Sequence, residues 1–181
     1  MRAKIKGGAK LNNNEKFKSL YEEYFEYALR TAIAITKDTS FSKDAVQETF
    51  IRIYKNMDSL DETKSFKTYL YTILLNECRR ILDKNNKAFK VDSLFLENEY
   101  SLSSNDIYSF EEYEFLYKAI QNLEDINKIP IILKYLNDFS EKEISSILTI
   151  NINTVKSRLF KGRQKLKKMI EEFEKRSEKY E

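Results

Sequence analysis

The chain has 181 residues, 41% hydrophobic and 34% charged, with a formal net charge of +3. It has no histidine and a single cysteine, Cys78, which excludes a His/Cys zinc site, an imidazole-dependent triad and an internal disulfide. With only three glycines and one proline, turn chemistry is too scarce for a sheet protein, and an all-α fold is expected.

In chain order, the basic stretch Met1–Asn14 is followed by no apolar core, and no apolar run approaches membrane-spanning length. No membrane insertion and a cytoplasmic location are therefore expected. From Glu15 to Thr36 the apolar positions Phe17, Leu20, Tyr24, Tyr27, Ala28 and Ala32 form a helical stripe. From Ser42 to Met57 a second stripe runs through Val46, Phe50, Ile53 and Met57, with Ser42 as the expected N-cap. Asn56–Lys64 is polar and reads as a loop. Ser65 then opens a third helix with Phe66, Leu70, Ile73, Leu74 and Ile81 on one face and Thr68, Thr72, Asn76, Arg79 and Asp83 opposite.

From Asn85 to Ser109 the periodicity fails, apart from an apolar knot at Leu94–Leu96. A structureless stretch of roughly twenty residues is long for a connection inside one domain and marks a boundary. Between Val91 and Tyr117 the chain carries acidic residues and no Lys or Arg. Two small helical domains joined by an acidic flexible linker are expected. The divisions are a basic tail at 1–14, a first domain at 15–87, the linker at 88–109, a second domain at 110–174 and a C-terminal tail at 175–181. Phe110–Asn122 and Ile126–Asn137 read as helices, with Pro130 near the first turn of the latter.

The most informative stretch is Phe139–Ile170. Ser140 followed by Glu143 is a capping box, and Ile144, Ile147 and Leu148 give the short helix it opens one apolar face. Thr149-Ile150-Asn151 is a three-residue break, after which Asn151 caps a longer helix with Val155, Leu159, Gly162, Leu166 and Ile170 on the buried side. The other side presents Asn153, Thr154, Ser157, Lys161, Gln164 and Lys168, flanked by Lys156 and Arg158. A basic amphipathic helix alone is as often a solvated surface. Combined with the capping box, the short turn and the apolar spacing, it is a helix-turn-helix whose second helix enters a major groove. Asn153, Thr154, Ser157 and Arg158 are the candidate base readers; Lys156, Lys161, Arg163 and Lys165 would neutralise phosphate. Thr149 stands where such turns often place glycine, so a positive φ there would be strained.

Asn122–Leu166, with Ser140-Glu141-Lys142-Glu143-Ile144 and Asn153–Leu159, resembles region 4 of the sigma-70 family. Asp44-Ala45-Val46-Gln47-Glu48-Thr49-Phe50 resembles region 2.2, and Phe66–Ile73 with Asn76 resembles the part that recognises and opens the −10 element. The order of the two blocks, with no room for a region 3 domain, matches the extracytoplasmic-function (ECF) group. The resemblance implies an alternative sigma factor that binds core RNA polymerase and directs promoter-specific initiation, with no enzymatic activity and no cofactor. It implies docking on the β′ clamp coiled coil through Asp44, Gln47 and Glu48, a contact to the β flap, and an anti-sigma factor as a further partner.

It also implies −35 recognition through Asn153, Thr154, Lys156, Ser157, Arg158, Lys161, Arg163 and Lys165. The −10 element falls to Asp61, Lys64, Thr68, Thr72, Asn76, Arg79, Arg80 and Lys84. In that assignment the Asp58–Lys64 loop and Asn76 hold an extruded base, with the cations on the backbone. The chain lacks tryptophan, so strand opening by base capture is expected in place of a Trp wedge. For the acidic linker two readings stand: a path through the polymerase cleft, or a spacer kept soluble by its charge. The competing function is a stand-alone helix-turn-helix regulator, which would leave the Asp44–Phe50 block without a reason.

Overall fold

The computed structural model of the chain describes residues 13–61, 63, 65–88, 116 and 118–177. Among them all regular structure is helical. The helices are α1 (Asn13–Thr36), α2 (Thr39–Lys55), α3 (Phe66–Ala88), α4 (Asp125–Tyr135), α5 (Glu141–Leu148) and α6 (Ile152–Ser177), with a short 3-10 turn at Met57–Ser59. Residues 116 and 118–121 are also helical. No described helix is long and apolar enough to cross a membrane. The expected linker from 89 onward, its Leu94–Leu96 knot and the start of the Phe110 helix lie outside the described residues.

α1, α2 and α3 pack around Ala28, Ala32, Val46, Phe50, Ile53, Leu70 and Leu74, all nearly inaccessible. The N-cap of α2 is Asp38, whose side chain accepts the Phe41 N–H at 2.8 Å, rather than Ser42. Asp38 takes the position because Lys37, at φ 61°, ends α1 one residue earlier and lets the chain turn at once. Ser42 is instead buried within the helix, hydrogen-bonded to Thr36 at 2.7 Å. Tyr27, expected in the α1 stripe, is 58% exposed. At the start of α3, Ser65 accepts the Thr68 N–H with its hydroxyl and the Tyr69 N–H with its carbonyl.

α4, α5 and α6 form the second group around Ile131, Ile132, Leu133, Ile144, Val155 and Leu159. Pro130 sits inside α4 and not in its first turn. It withholds the N–H that would otherwise pair with the Ile126 carbonyl, and Ile126 is half exposed, where water can serve instead.

The two groups are packed together, and their buried residues form one contiguous cluster. α4 lies against α1 and α5 against α3. Asn137, buried in the turn after α4, is at the centre of the seam. Its side-chain oxygen accepts from the Tyr71 hydroxyl and lies 3.2 Å from the Thr31 hydroxyl. Its amide donates to the Ile132 carbonyl at 3.3 Å. Lys67 donates to the Asn137 backbone carbonyl and sits 4.6 Å over the Phe139 ring, a cation–π contact. Phe139 meets Tyr71 edge-on at 5.0 Å, and Gln121 donates to the Ala34 carbonyl at 2.9 Å. Burial at this seam pushes the Tyr71 hydroxyl up to about 12.

Candidate nucleic-acid interface

The helix-turn-helix is built from local signals. Glu143 N–H donates to Ser140 Oγ at 3.2 Å, and Ser140 N–H donates back to Glu143 Oε2 at 2.8 Å. This reciprocal cap starts α5, and its bonds hold the Glu143 carboxyl below the ordinary range for glutamate. α5 ends at Thr149, in the left-handed region at φ 54°, ψ 46°. The Ile150 N–H returns to the Ser145 carbonyl at 3.1 Å, so the positive φ closes the helix end and reverses the chain. A β-branched side chain bears this geometry at a cost. Two residues later Asn151 accepts the Asn153 N–H at 2.8 Å and caps α6.

The depth at which α6 packs is set by Gly162. A Cβ there would stand 2.8 Å from the Ile131 side chain, too near for any other residue unless that side chain shifts. With Val155 and Leu159 buried, the opposite side of α6 faces outward. Asn153, Lys156, Ser157, Lys161, Arg163 and Lys165 are exposed; Thr154 and Arg158 are half-buried. Thr154, Ser157, Arg158 and Lys161 share a cleft of about 660 Å³ with Ile126 and Phe160. Phe160, 56% exposed, is the residue sequence reasoning missed; an aromatic out of phase with the buried stripe was its signal.

The predicted phosphate cations are not equivalent. Lys165 is committed to Glu124 at 2.8 Å, Lys156 lies 4.0 Å from Glu141, and Arg163 reaches the Tyr135 hydroxyl at 3.3 Å. Surface pairs of this kind are weak and yield readily to a phosphate. The contact with Lys165 also draws the Glu124 carboxyl below its ordinary value.

The second predicted interface is divided by the structure. Below the loop after α2 lies a cleft of about 550 Å³ lined by Leu20, Asn56, Ser59, Leu60, Asp61, Ser65, Phe66 and Tyr69. Its floor is apolar and aromatic; its rim is polar. Asp61 accepts the Thr63 N–H at 3.0 Å, which shapes the loop; Lys64 lies outside the described residues. Asn76 does not line this cleft. It stands seven residues beyond Tyr69, about 10 Å along α3.

Thr68 and Thr72 are not on an open polar face either. Both are half-buried; the Thr68 hydroxyl is buried without a partner, and the Thr72 hydroxyl is spent on the Thr68 carbonyl at 2.8 Å. They lie beside Tyr71 and Leu75 on the helix, the side toward Asn137 and Phe139. Asn76, Arg79, Arg80 and Lys84 are exposed.

On α2, Asp44 and Gln47 are exposed and Glu48 half-buried, opposite Val46, Phe50 and Ile53. Ile51, 37% exposed, lies between them and gives the strip an apolar centre, the usual make-up of a docking surface. Among the described residues no group of carboxylates and cysteine is suited to hold a metal ion.

Comparison with known proteins places these surfaces in context. Residues 20–88 match the family model described as Sigma-70 region 2, and residues 114–166 match Sigma-70, region 4. The ECF RNA polymerase sigma factor SigW of Bacillus subtilis is 28% identical over 172 residues, spanning 89% of this chain and 92% of that protein. The ECF RNA polymerase sigma-E factor of Escherichia coli K12 is 29% identical over 139 residues, 71% of this chain and 73% of the other. In fold, the chain resembles the sigma factor RpoE solved with the anti-sigma factor NepR from Bartonella quintana. The TM-score is 0.74 at 23% identity, with 86% of this chain and 97% of that one covered. It also resembles CnrH, solved with the cytosolic domain of CnrY (TM-score 0.66, 18% identity, 88% and 90% covered).

Proposed function

The chain belongs to the sigma-70 family, as an ECF-type sigma factor that directs transcription initiation with core RNA polymerase, and from that premise we propose how its surfaces divide the work. α6 reads the −35 element in the major groove. Asn153, Thr154, Ser157 and Arg158 meet base edges, while Lys156, Lys161, Arg163 and Lys165 take phosphate. Phe160 and Ile126 supply apolar contact at the edge of that footprint. Region 2 and region 4 occurring together set aside a stand-alone regulator.

The −10 element is engaged by the cleft under the α2–α3 loop and by the exposed end of α3. A base leaving the stack meets Phe66 and Tyr69 with its face, and Asp61, Ser59 and Ser65 with its polar edge. Stacking on aromatics and hydrogen bonds to the rim offset the few kcal/mol that extrusion costs. Asn76, some 10 Å away along the helix, serves a neighbouring nucleotide, and Arg79, Arg80 and Lys84 follow the strand backbone. Thr68 and Thr72 contribute structure here and not contact. The cleft is the observation that carries this reading. It lies within the roughly 300–1,000 Å³ usual for small-ligand sites, on the segment matched to region 2.

Asp44, Gln47 and Glu48, centred on Ile51, dock on the β′ clamp coiled coil, and the second domain meets the β flap. By likeness to the sigma factor RpoE solved with the anti-sigma factor NepR, the chain also takes an anti-sigma factor. It works in the cytoplasm as a non-catalytic subunit, through one domain at about 15–87 and another at about 110–174. The tests are co-purification with core polymerase and run-off transcription. Expected are holoenzyme formation and promoter-specific transcripts, with little specific DNA binding in a gel shift without core. Normal core affinity after Glu48→Lys refutes the docking surface, and unaltered open-complex formation after Tyr69→Ala refutes the base cleft.

A further inference from the structure

The packed boundary between α2 and α3 contains a carboxylate. Glu77 is 1% exposed and stands between exposed Asn76 and the core residue Cys78 in sequence. Two arginines from different helices converge on it. Arg52 of α2 brings Nη2 to 2.9 Å from Oε1. Arg80 of α3 brings Nη2 and Nε each to 2.7 Å from Oε2. Both arginine side chains remain 51% exposed.

Withdrawn from water, a carboxylate needs its charge compensated and its lone pairs occupied. One arginine balances the charge; the second, Arg80, also feels Glu48 of α2, whose carboxylate acts on it less strongly than Glu77 does. Glu77 is reached by Nη2 of Arg52 and by the Nε and Nη2 groups of Arg80, and each guanidinium carries further N–H donors. Long cationic side chains normally lose rotamer freedom on binding an anion. Here Glu77 has already fixed both, and the planar fork suits a phosphate in particular.

We propose that Glu77 is a positioning residue that holds Arg52 and Arg80 as a paired clamp for one phosphate of the promoter strand, about 16 Å along α3 from Tyr69 of the −10 cleft. This extends the −10 assignment made above and rests on it. A DNA phosphate fits better than a carboxylate of polymerase. The pair continues into exposed Arg79 and Lys84 on α3, a cationic track of the kind that follows a strand backbone. The docking strip on α2 carries Asp44 and Glu48 and calls for a basic partner.

The test uses holoenzyme assembled from core polymerase and the full chain, bound to forked promoter DNA with an unpaired −10 strand, across a salt series. Glu77→Gln removes a negative charge next to the DNA, so plain Coulomb attraction predicts tighter binding. The clamp predicts the reverse: binding weaker by about tenfold, and a log K against log salt slope smaller by about one. Arg52→Lys with Arg80→Lys keeps every charge and leaves Glu77 paired, and it should give a similar loss even if Glu77→Gln folds poorly. Glu77→Gln added to that double variant should cost little more. DNA binding as tight as wild type in these variants overturns the clamp. So does a loss of core affinity with an unchanged salt slope in saturated holoenzyme, which would turn the pair toward polymerase. Wild-type holoenzyme indifferent to the −10 sequence would instead refute the −10 assignment, and with it the clamp's target.

Discussion

Tyr71 and Asn137, 66 residues apart, are joined by a buried hydrogen bond from the Tyr71 hydroxyl to the Asn137 carboxamide oxygen. That bond ties α3 to the turn preceding the helix-turn-helix. Thr31 approaches the same oxygen from α1. Asn137→Ala should leave the buried Tyr71 hydroxyl without its acceptor and destabilise the chain by about 1–3 kcal/mol. Urea unfolding followed by circular dichroism measures this. An unchanged midpoint would show that the seam contributes nothing to stability.

Thr149 holds a left-handed conformation with a β-branched side chain. Glycine removes the steric conflict, about 1–2 kcal/mol, and returns part of it as chain entropy. Thr149→Gly should therefore raise stability by about 0.5–1 kcal/mol, read from the denaturation midpoint, without altering promoter preference in run-off transcription.

The Glu143 carboxyl is held below its ordinary value by hydrogen bonds from Ser140. A carboxyl whose folded value is depressed stabilises the fold above the unfolded value, and that stabilisation is lost as pH falls through the folded one. Melting temperature should therefore fall on acidification from about pH 6 to about pH 3, and Glu143→Gln should be less steep over that interval. Parallel curves for the two proteins would show that the capping box carries none of the acid sensitivity.

Two neighbours on α6 should separate affinity from specificity. Lys161→Ala should weaken holoenzyme binding to all promoters alike and reduce the salt slope by about one. Ser157→Ala should redistribute preference among −35 variants by about 1–3 kcal/mol and leave the slope unchanged. A competition assay on a −35 library at two salt concentrations distinguishes them.

The second domain was the more legible in sequence, because its determinants are local. Ser140 with Glu143 and Asn151 before Asn153 each act within a few residues of themselves, and each is found in that role; Gly162, legible as a gap in the buried stripe, acts on Ile131 of α4. Thr149 takes the positive φ that its β-branched side chain argued against. α3 was read less well. One apolar face was visible in Leu70, Leu74 and Ile81, but Tyr71, Leu75 and Cys78 are equally buried. The second domain meets α3 at Tyr71, and no periodicity within α3 announces a neighbour 66 residues downstream. Thr68 and Thr72, chosen as an open polar stripe, are half-buried. Ser42 lost the cap to Asp38 because Lys37 takes a positive φ, and sequence spacing does not show where a helix will turn. Arg52 went unnoticed because its role depends on Glu77 across a helix boundary.

The −35 and −10 elements lie about 25 base pairs apart, some 85 Å of duplex at about 3.4 Å per step. A compact body of this chain length has a radius of gyration of about 16 Å. Occupying both ends of a promoter at once would therefore require the two halves to separate. The joint combines polar bonds from Asn137, Tyr71, Thr31, Lys67 and Gln121 with the Phe139 ring against Tyr71: when it separates, water can take over each hydrogen bond, while the rings are left facing solvent.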